Sequence, residues 1–156
     1  MRALLLPVVC LFAALLFCQG NNEPLPVVVT SLPYPPAAWS NGATGSATVR
    51  IQIADNGDVT AATVVATTSN PKTVRDHGFL YASAAETNVR QWRFAPASAG
   101  NPSPRQLTVQ YVFTLEGERD HCGCTKTVFH LPNRVDVTST PPATIVDRFG
   151  SPRGSK

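Results

Sequence analysis

The strongest constraint on what this chain can fold into is an alternation of apolar and polar residues. Ala47, Val49, Ile51 and Ile53 are interleaved with Thr48, Arg50 and Gln52. Successive side chains of a strand point to opposite faces, so this period predicts a strand with one buried and one wet face, as in an antiparallel sheet. The run ends at Asp55-Asn56-Gly57-Asp58, and Asn-Gly tolerates the positive φ of a tight hairpin turn. Val59 to Thr67 is the expected returning strand. Its register stays open, because two-residue and three-residue loops turn opposite faces of the second strand inward. The period recurs in Leu107, Val109, Tyr111, Phe113 and Leu115. That third strand leaves Thr108, Gln110 and Val112 pointing away from the packed face.

Between these strands the period changes. Ser69-Asn70-Pro71 breaks the second strand, Asp76 is the expected N-cap, and a helix is predicted from about Gly78 to Trp92. Tyr81, Ala85, Val89 and Trp92 fall on one stripe facing a partner layer. Arg90 and Arg93 fit the last turn, where cations suit the negative helix end. Ala95-Pro96 stops the helix and Ser98 to Arg105 is a loop. A short hairpin is expected at Thr127–Leu131 and Val135–Ser139, turning at Pro132-Asn133. The order strand, strand, helix, strand, hairpin describes an α+β domain. It is a two-layer sandwich of a small antiparallel sheet with one packed helix, plus an extra C-terminal hairpin.

The 156 residues suit one domain of ordinary size. Charged residues are 15%, well below the usual ~25%, while hydrophobic residues reach 43%, so the chain is not disordered as a whole. The net charge is +3 without a basic run, which sets nucleic-acid binding aside. A single long apolar run excludes a polytopic membrane protein.

That run, Ala3 to Cys18 after Arg2, reads as a signal peptide over residues 1–20, with Cys18 and Gly20 as the small residues before a cut at Asn21. A spanning helix needs about 20 apolar residues, and this one is shorter and holds Pro7. The alternatives are an inner-membrane anchor through residues 3–18 and acylation at Cys18 or Cys10. Cleavage places the protein in the periplasm or outside the cell. It also removes two of the four cysteines.

Cys122 and Cys124 then remain in an oxidising compartment and are expected to form a loop disulfide, or a link to another copy of the chain. With His121 and His130 they could be read as four zinc ligands, but Cys-x-Cys is tighter than the usual spacing of structural sites. Thiol oxidoreductases favour Cys-x-x-Cys. No metal and no cofactor are expected. His77 beside Asp76 is a poor acid–base pair, and no Gly-x-Ser-x-Gly, His-Glu-x-x-His or phosphate loop occurs, so the chain does not read as an enzyme.

Several strings together resemble the C-terminal domain of TonB-type energy transducers. They are Tyr34-Pro35-Pro36, Gly45 with Val49-x-Ile51-x-Ile53, Asn56-Gly57, and Val89-Arg90-Gln91-Trp92-Arg93-Phe94-x-Pro96, followed by Gly100 and the alternation from Leu107. The resemblance covers Tyr34 to about Leu115. It implies a non-enzymatic periplasmic module, associated with TonB-type transmembrane transport, that adds the extended "box" peptide of outer-membrane receptors to a sheet edge. Peptide contact is expected at Tyr34, Pro35, Thr108, Gln110 and Val112, with Leu107–Leu115 as the edge strand. Partners would be outer-membrane receptors or other envelope proteins, and a homodimer is also open to such a domain. The lead-in has at most sixteen residues from Asn21 to Pro36 and no Lys, so it cannot bridge two membranes. The alternatives are a structural envelope protein without a receptor, and a metal or thiol protein using His121-Cys122-Gly123-Cys124. The expected organisation is signal 1–20, extended linker 21–33, domain 34–116, added loop and hairpin 117–140, and tail 141–156.

Overall fold

A computed structural model describes residues 23–70, 77–98, 105–119, 121–143, 145–146 and 152–153. The expected signal peptide, the Asp76 cap and most of the 98–105 loop lie outside these residues. In chain order the elements are β1 (Pro26–Val28), α1 (Pro36–Ser40), β2 (Thr44–Ile53), β3 (Val59–Asn70), α2 (Gly78–Val89) and β4 (Arg93–Phe94). Then come β5 (Arg105–Leu115), β6 (Thr125–His130), β7 (Arg134–Ser139), β8 (Ile145–Val146) and β9 (Pro152–Arg153). The architecture is α+β. A five-stranded sheet in the order β3-β2-β5-β7-β6 carries α2 on one face.

The alternating residues land where their period places them. Val49, Ile51, Ile53, Val109, Tyr111 and Phe113 are buried, and so is the stripe Tyr81, Ala85, Val89 and Trp92. Tyr81 stacks on Phe113 with ring centroids 4.6 Å apart. The open face carries Thr48, Arg50 and Gln52 opposite Gln110, Thr108 and Gln106. The β2–β3 register settles with Ile53 opposite Val59 and bulges at Thr48/Val49 and Gln52/Ile53.

At the hairpin tip, Gly57 has φ of 91°, and a Cβ there would collide with the Phe94 carbonyl. The Phe94 N–H donates to the Gly57 carbonyl at 2.9 Å. Gly57 therefore serves both the turn and its docking onto β4. At Gly45 a Cβ would meet the Tyr81 ring at 2.6 Å, so this glycine lets the helix lie close on the sheet.

Three features differ from expectation. The helix ends at Val89 rather than Trp92, because Gln91 and Trp92 donate to the Asn88 and Val89 carbonyls in a tightened turn. Arg93 thus sits in β4 and pairs with Asp58 at 3.1 Å. The lead-in is docked rather than a free linker, since β1 pairs with β4 and Leu32 is buried. The sheet is mixed rather than wholly antiparallel. The C-terminal hairpin folds back with its second strand innermost, so β7 runs parallel to β5 from Gln110↔Arg134 to Leu115↔Ser139. Val135 and Val137 are both fully buried, which favours β7 for the inner position, whereas β6 ends in exposed residues.

Candidate functional site

Tyr34 and Pro35 belong to the packing rather than to an open surface. Both are buried. The Tyr34 hydroxyl donates to the Ala43 carbonyl at 2.6 Å. Its ring meets Phe113 and Tyr81 edge-on, at 5.7 and 6.4 Å. Burial above all, then the neighbouring Tyr81, pushes the Tyr34 phenol well above its ordinary range. The Pro35 carbonyl accepts the Trp39 N–H and starts α1.

Thr108 and Gln110 are exposed and Val112 is half-buried on the open face. The edge assigned to them is already occupied. The Gln110 N–H donates to the Asn133 carbonyl at 2.8 Å, and Gln110 to Leu115 pair with β7. The expectation of an edge strand at Leu107–Leu115 is therefore corrected, because β5 is internal to the sheet over its second half. Periodicity tells which residues share a face, not which strand lies alongside.

The sheet edge on this side is now β6, and the lead-in borders it. The Thr127 hydroxyl accepts the Leu32 N–H and donates to the Leu32 carbonyl, at 3.2 and 3.1 Å. The Thr125 hydroxyl accepts the Tyr34 N–H at 3.2 Å. A shallow groove follows the lead-in along α2, lined by Leu32, Pro33, Tyr34, Leu80, Ala84 and Thr87. No described strand lies beyond β6.

Asn88 was missed by sequence reasoning, yet it ties three parts together. It is 4% exposed. Its Nδ2 reaches the carbonyls of Thr30 and Ser31 and the Thr30 hydroxyl, at 3.0 to 3.1 Å. Its Oδ1 accepts Trp92 Nε1 at 3.1 Å and the Tyr111 hydroxyl at 3.0 Å. The available signal was a weak helix former on the core stripe, four residues before a Trp that must satisfy its indole N–H.

Cys122 and Cys124 are joined by a disulfide, and their loop lies against the Trp39 ring. Trp39 Nε1 donates to the Thr140 carbonyl at 2.6 Å. His130 is at the far end of β6, on the order of 20 Å from Cys124 at strand rise. There it pairs with Asp136 at 3.0 Å, so it cannot complete a four-ligand set with the Cys loop. Among the described residues no three His, Cys, Asp or Glu side chains converge on a metal-sized site. No helix among them is long and apolar enough to cross a membrane.

The geometry thus offers strand edges and a shallow groove. The family described as Gram-negative bacterial TonB protein C-terminal matches residues 30–115. No curated protein and no solved structure matches the chain.

Proposed function

The chain belongs to the TonB C-terminal family, whose match spans more than half of its length, and from that premise we propose a non-enzymatic periplasmic module that binds extended segments of outer-membrane receptors, or of other envelope proteins, by strand addition. The observation that carries the reading is the relation between β5 and β7. The matched region ends at Leu115, at the end of β5. Beyond it, β7 lies along β5 in parallel register. The family scaffold is thus of a kind that takes a further strand at this edge, and here the chain supplies that strand itself. A partner segment then finds an open edge two strands further out, at Thr125–His130 beside Leu32–Tyr34, since β7 leaves only the first half of β5, residues 105–109, without a strand on that side. Main-chain hydrogen bonds would supply most of the affinity. Export through residues 1–20 would deliver the domain to the periplasm, with Asn21 as the mature terminus.

The test is an amide-resolved NMR titration of the full mature chain with synthetic receptor-box peptides. Shifts are expected at Thr125–His130 and Leu32–Tyr34. No shift at any strand edge, with the domain folded, removes strand addition as its function. Mass spectrometry of exported protein should find Asn21 first. An intact Met1 overturns the cleaved-export part of the reading.

A further inference from the structure

We infer that the Cys122–Cys124 bridge is an exchange site for external thiols, which it takes up as mixed disulfides at the protein surface, rather than a staple of the fold. The bridge lies between β5 and β6, past the family-matched residues 30–115. Both cysteines are exposed, and neither belongs to the buried core. Attack on a disulfide needs access to a sulfur, and exposed bridges are the labile ones.

How firmly a fold holds a bridge closed follows from a thermodynamic cycle. Folding and bridge closure can be taken in either order, so the fold stabilises the bridge by as much as the bridge stabilises the fold. Cys122 and Cys124 are two positions apart. Closing so short a loop restricts the unfolded chain by a factor of about thirty at most, whereas a loop near a hundred residues gives on the order of a thousand. The fold therefore gives this bridge little protection beyond what a free peptide has. The loop also has anchors that do not involve sulfur. Gly123 has φ of 59°, which glycine adopts without a steric penalty, and lies so near the Trp39 ring that a Cβ would meet it at 3.0 Å. The Thr125 hydroxyl donates to the Gly123 carbonyl at 3.2 Å. Trp39 is held separately by its bond to the Thr140 carbonyl. Opening the bridge leaves these contacts available, so exchange is compatible with the native fold.

The step balances without any further reactant. An incoming thiolate bonds to one of the two sulfurs, the S–S bond breaks, and the other cysteine leaves as a thiolate that takes up a proton. With a monothiol the product is a mixed disulfide. With a dithiol, its second thiol then attacks the reagent's own sulfur in that mixed disulfide and releases the first cysteine. Cys122 and Cys124 end as two thiols and the reagent as a disulfide, two electrons having moved. A molecule attached here stands beside Thr125, at the start of β6.

The experiment equilibrates the full mature chain and a synthetic His121–Lys126 peptide in one series of glutathione buffers, from the oxidised and the reduced side. Acid quenching, alkylation and mass spectrometry count thiols and adducts. The folded chain should keep its bridge no more than about thirtyfold better than the peptide, with single-glutathione adducts among the products and native far-ultraviolet dichroism throughout. A parallel series with a dithiol distinguishes the two kinds of reagent, since it should leave two free thiols and no adduct. Cys122→Ser and Cys124→Ser, each folded by dichroism, should each take up one glutathione from its disulfide. A larger preference for the closed bridge overturns the proposal, and so does a bridge that opens only as the dichroism is lost. Folded single variants that take up no glutathione overturn it too, as does native protein in which these cysteines link separate chains.

Discussion

Asn88 shows how much one polar residue can hold. It satisfies the indole N–H of Trp92 and the hydroxyl of Tyr111, both inside the core, while its amide holds the lead-in at Thr30 and Ser31. Removing one partner from buried polar groups leaves the others to bear their desolvation. Asn88→Ala should therefore cost about 2–4 kcal/mol, with each orphaned buried group contributing ~1–3, measured by denaturant unfolding. A loss within that of an exposed alanine substitution would show that the network is dispensable. The neighbouring phenols supply a pH prediction. Burial holds the Tyr111 phenol, like that of Tyr34, well above its ordinary range. An unfolded tyrosine ionises near pH 10. Above that pH the unfolded chain binds fewer protons than the folded one, so stability should be level below about pH 9 and fall as pH rises past about 10. Tyr111→Phe should lower stability at neutral pH by losing its bond to Asn88, and should make the alkaline decline shallower. An unchanged alkaline slope would exclude Tyr111 as its source.

At the scale of elements, the C-terminal hairpin decides which edges the protein presents. Its inner strand contributes Val135 and Val137 to the core, and its outer strand sets Phe129 against Trp92 with centroids 6.1 Å apart. Val137→Ala should then cost about 1–3 kcal/mol, the range for trimming a fully buried aliphatic side chain. The same change at half-buried Val128, on the outer strand, should cost clearly less. Equal costs would mean that the inner position of β7 is not what stabilises the hairpin. Alternation made β2 and β5 legible in the sequence, the Asn56-Gly57 turn made the returning β3 legible, and the helix stripe was legible from its 3.6-residue period. The insertion of β7 between β5 and β6 was not. Which strand neighbours which depends on how a hairpin swings back, and period two carries no trace of that. The candidate site suffered most from this. Gln110 was placed on a free edge because its alternation is that of any half-buried strand. Tyr34 was placed in a binding surface although a tyrosine beside a Pro pair serves as well to wedge a segment into a core. Its bond to Ala43 depends on α1 turning the chain back, which no local spacing encodes.

For the whole molecule the question is whether the family-matched part can stand alone. Residues 30–115 contain α1, β2, β3, α2, β4 and β5, and a sheet of three strands packed on a helix is large enough to fold on its own. The contacts argue otherwise. Trp92 is enclosed by Phe94, Tyr111 and Phe129, and Phe129 belongs to the hairpin. Leu32 and Tyr34 are tied through their main chain to Thr127 and Thr125, also on the hairpin. Trp39 is anchored on Thr140. Cutting after Leu115 would uncover the Trp92 ring, release the lead-in and bare the whole outer edge of β5 at once. A long bare edge beside exposed aromatic surface recruits other chains. The truncated chain should therefore aggregate, or lack a cooperative thermal transition, whereas the full mature chain should unfold in one step seen alike by tryptophan fluorescence and far-ultraviolet dichroism. Opening the Cys122–Cys124 loop should do far less. It encloses only three residues, and closing so short a loop restricts the unfolded chain by no more than about 1–2 kcal/mol. A truncated chain that stays monomeric with native tryptophan emission would show that the hairpin is an accessory laid over a complete domain. It would also leave β5 free, and the truncated form would then be the one in which a receptor segment should be sought on Gln110 to Leu115.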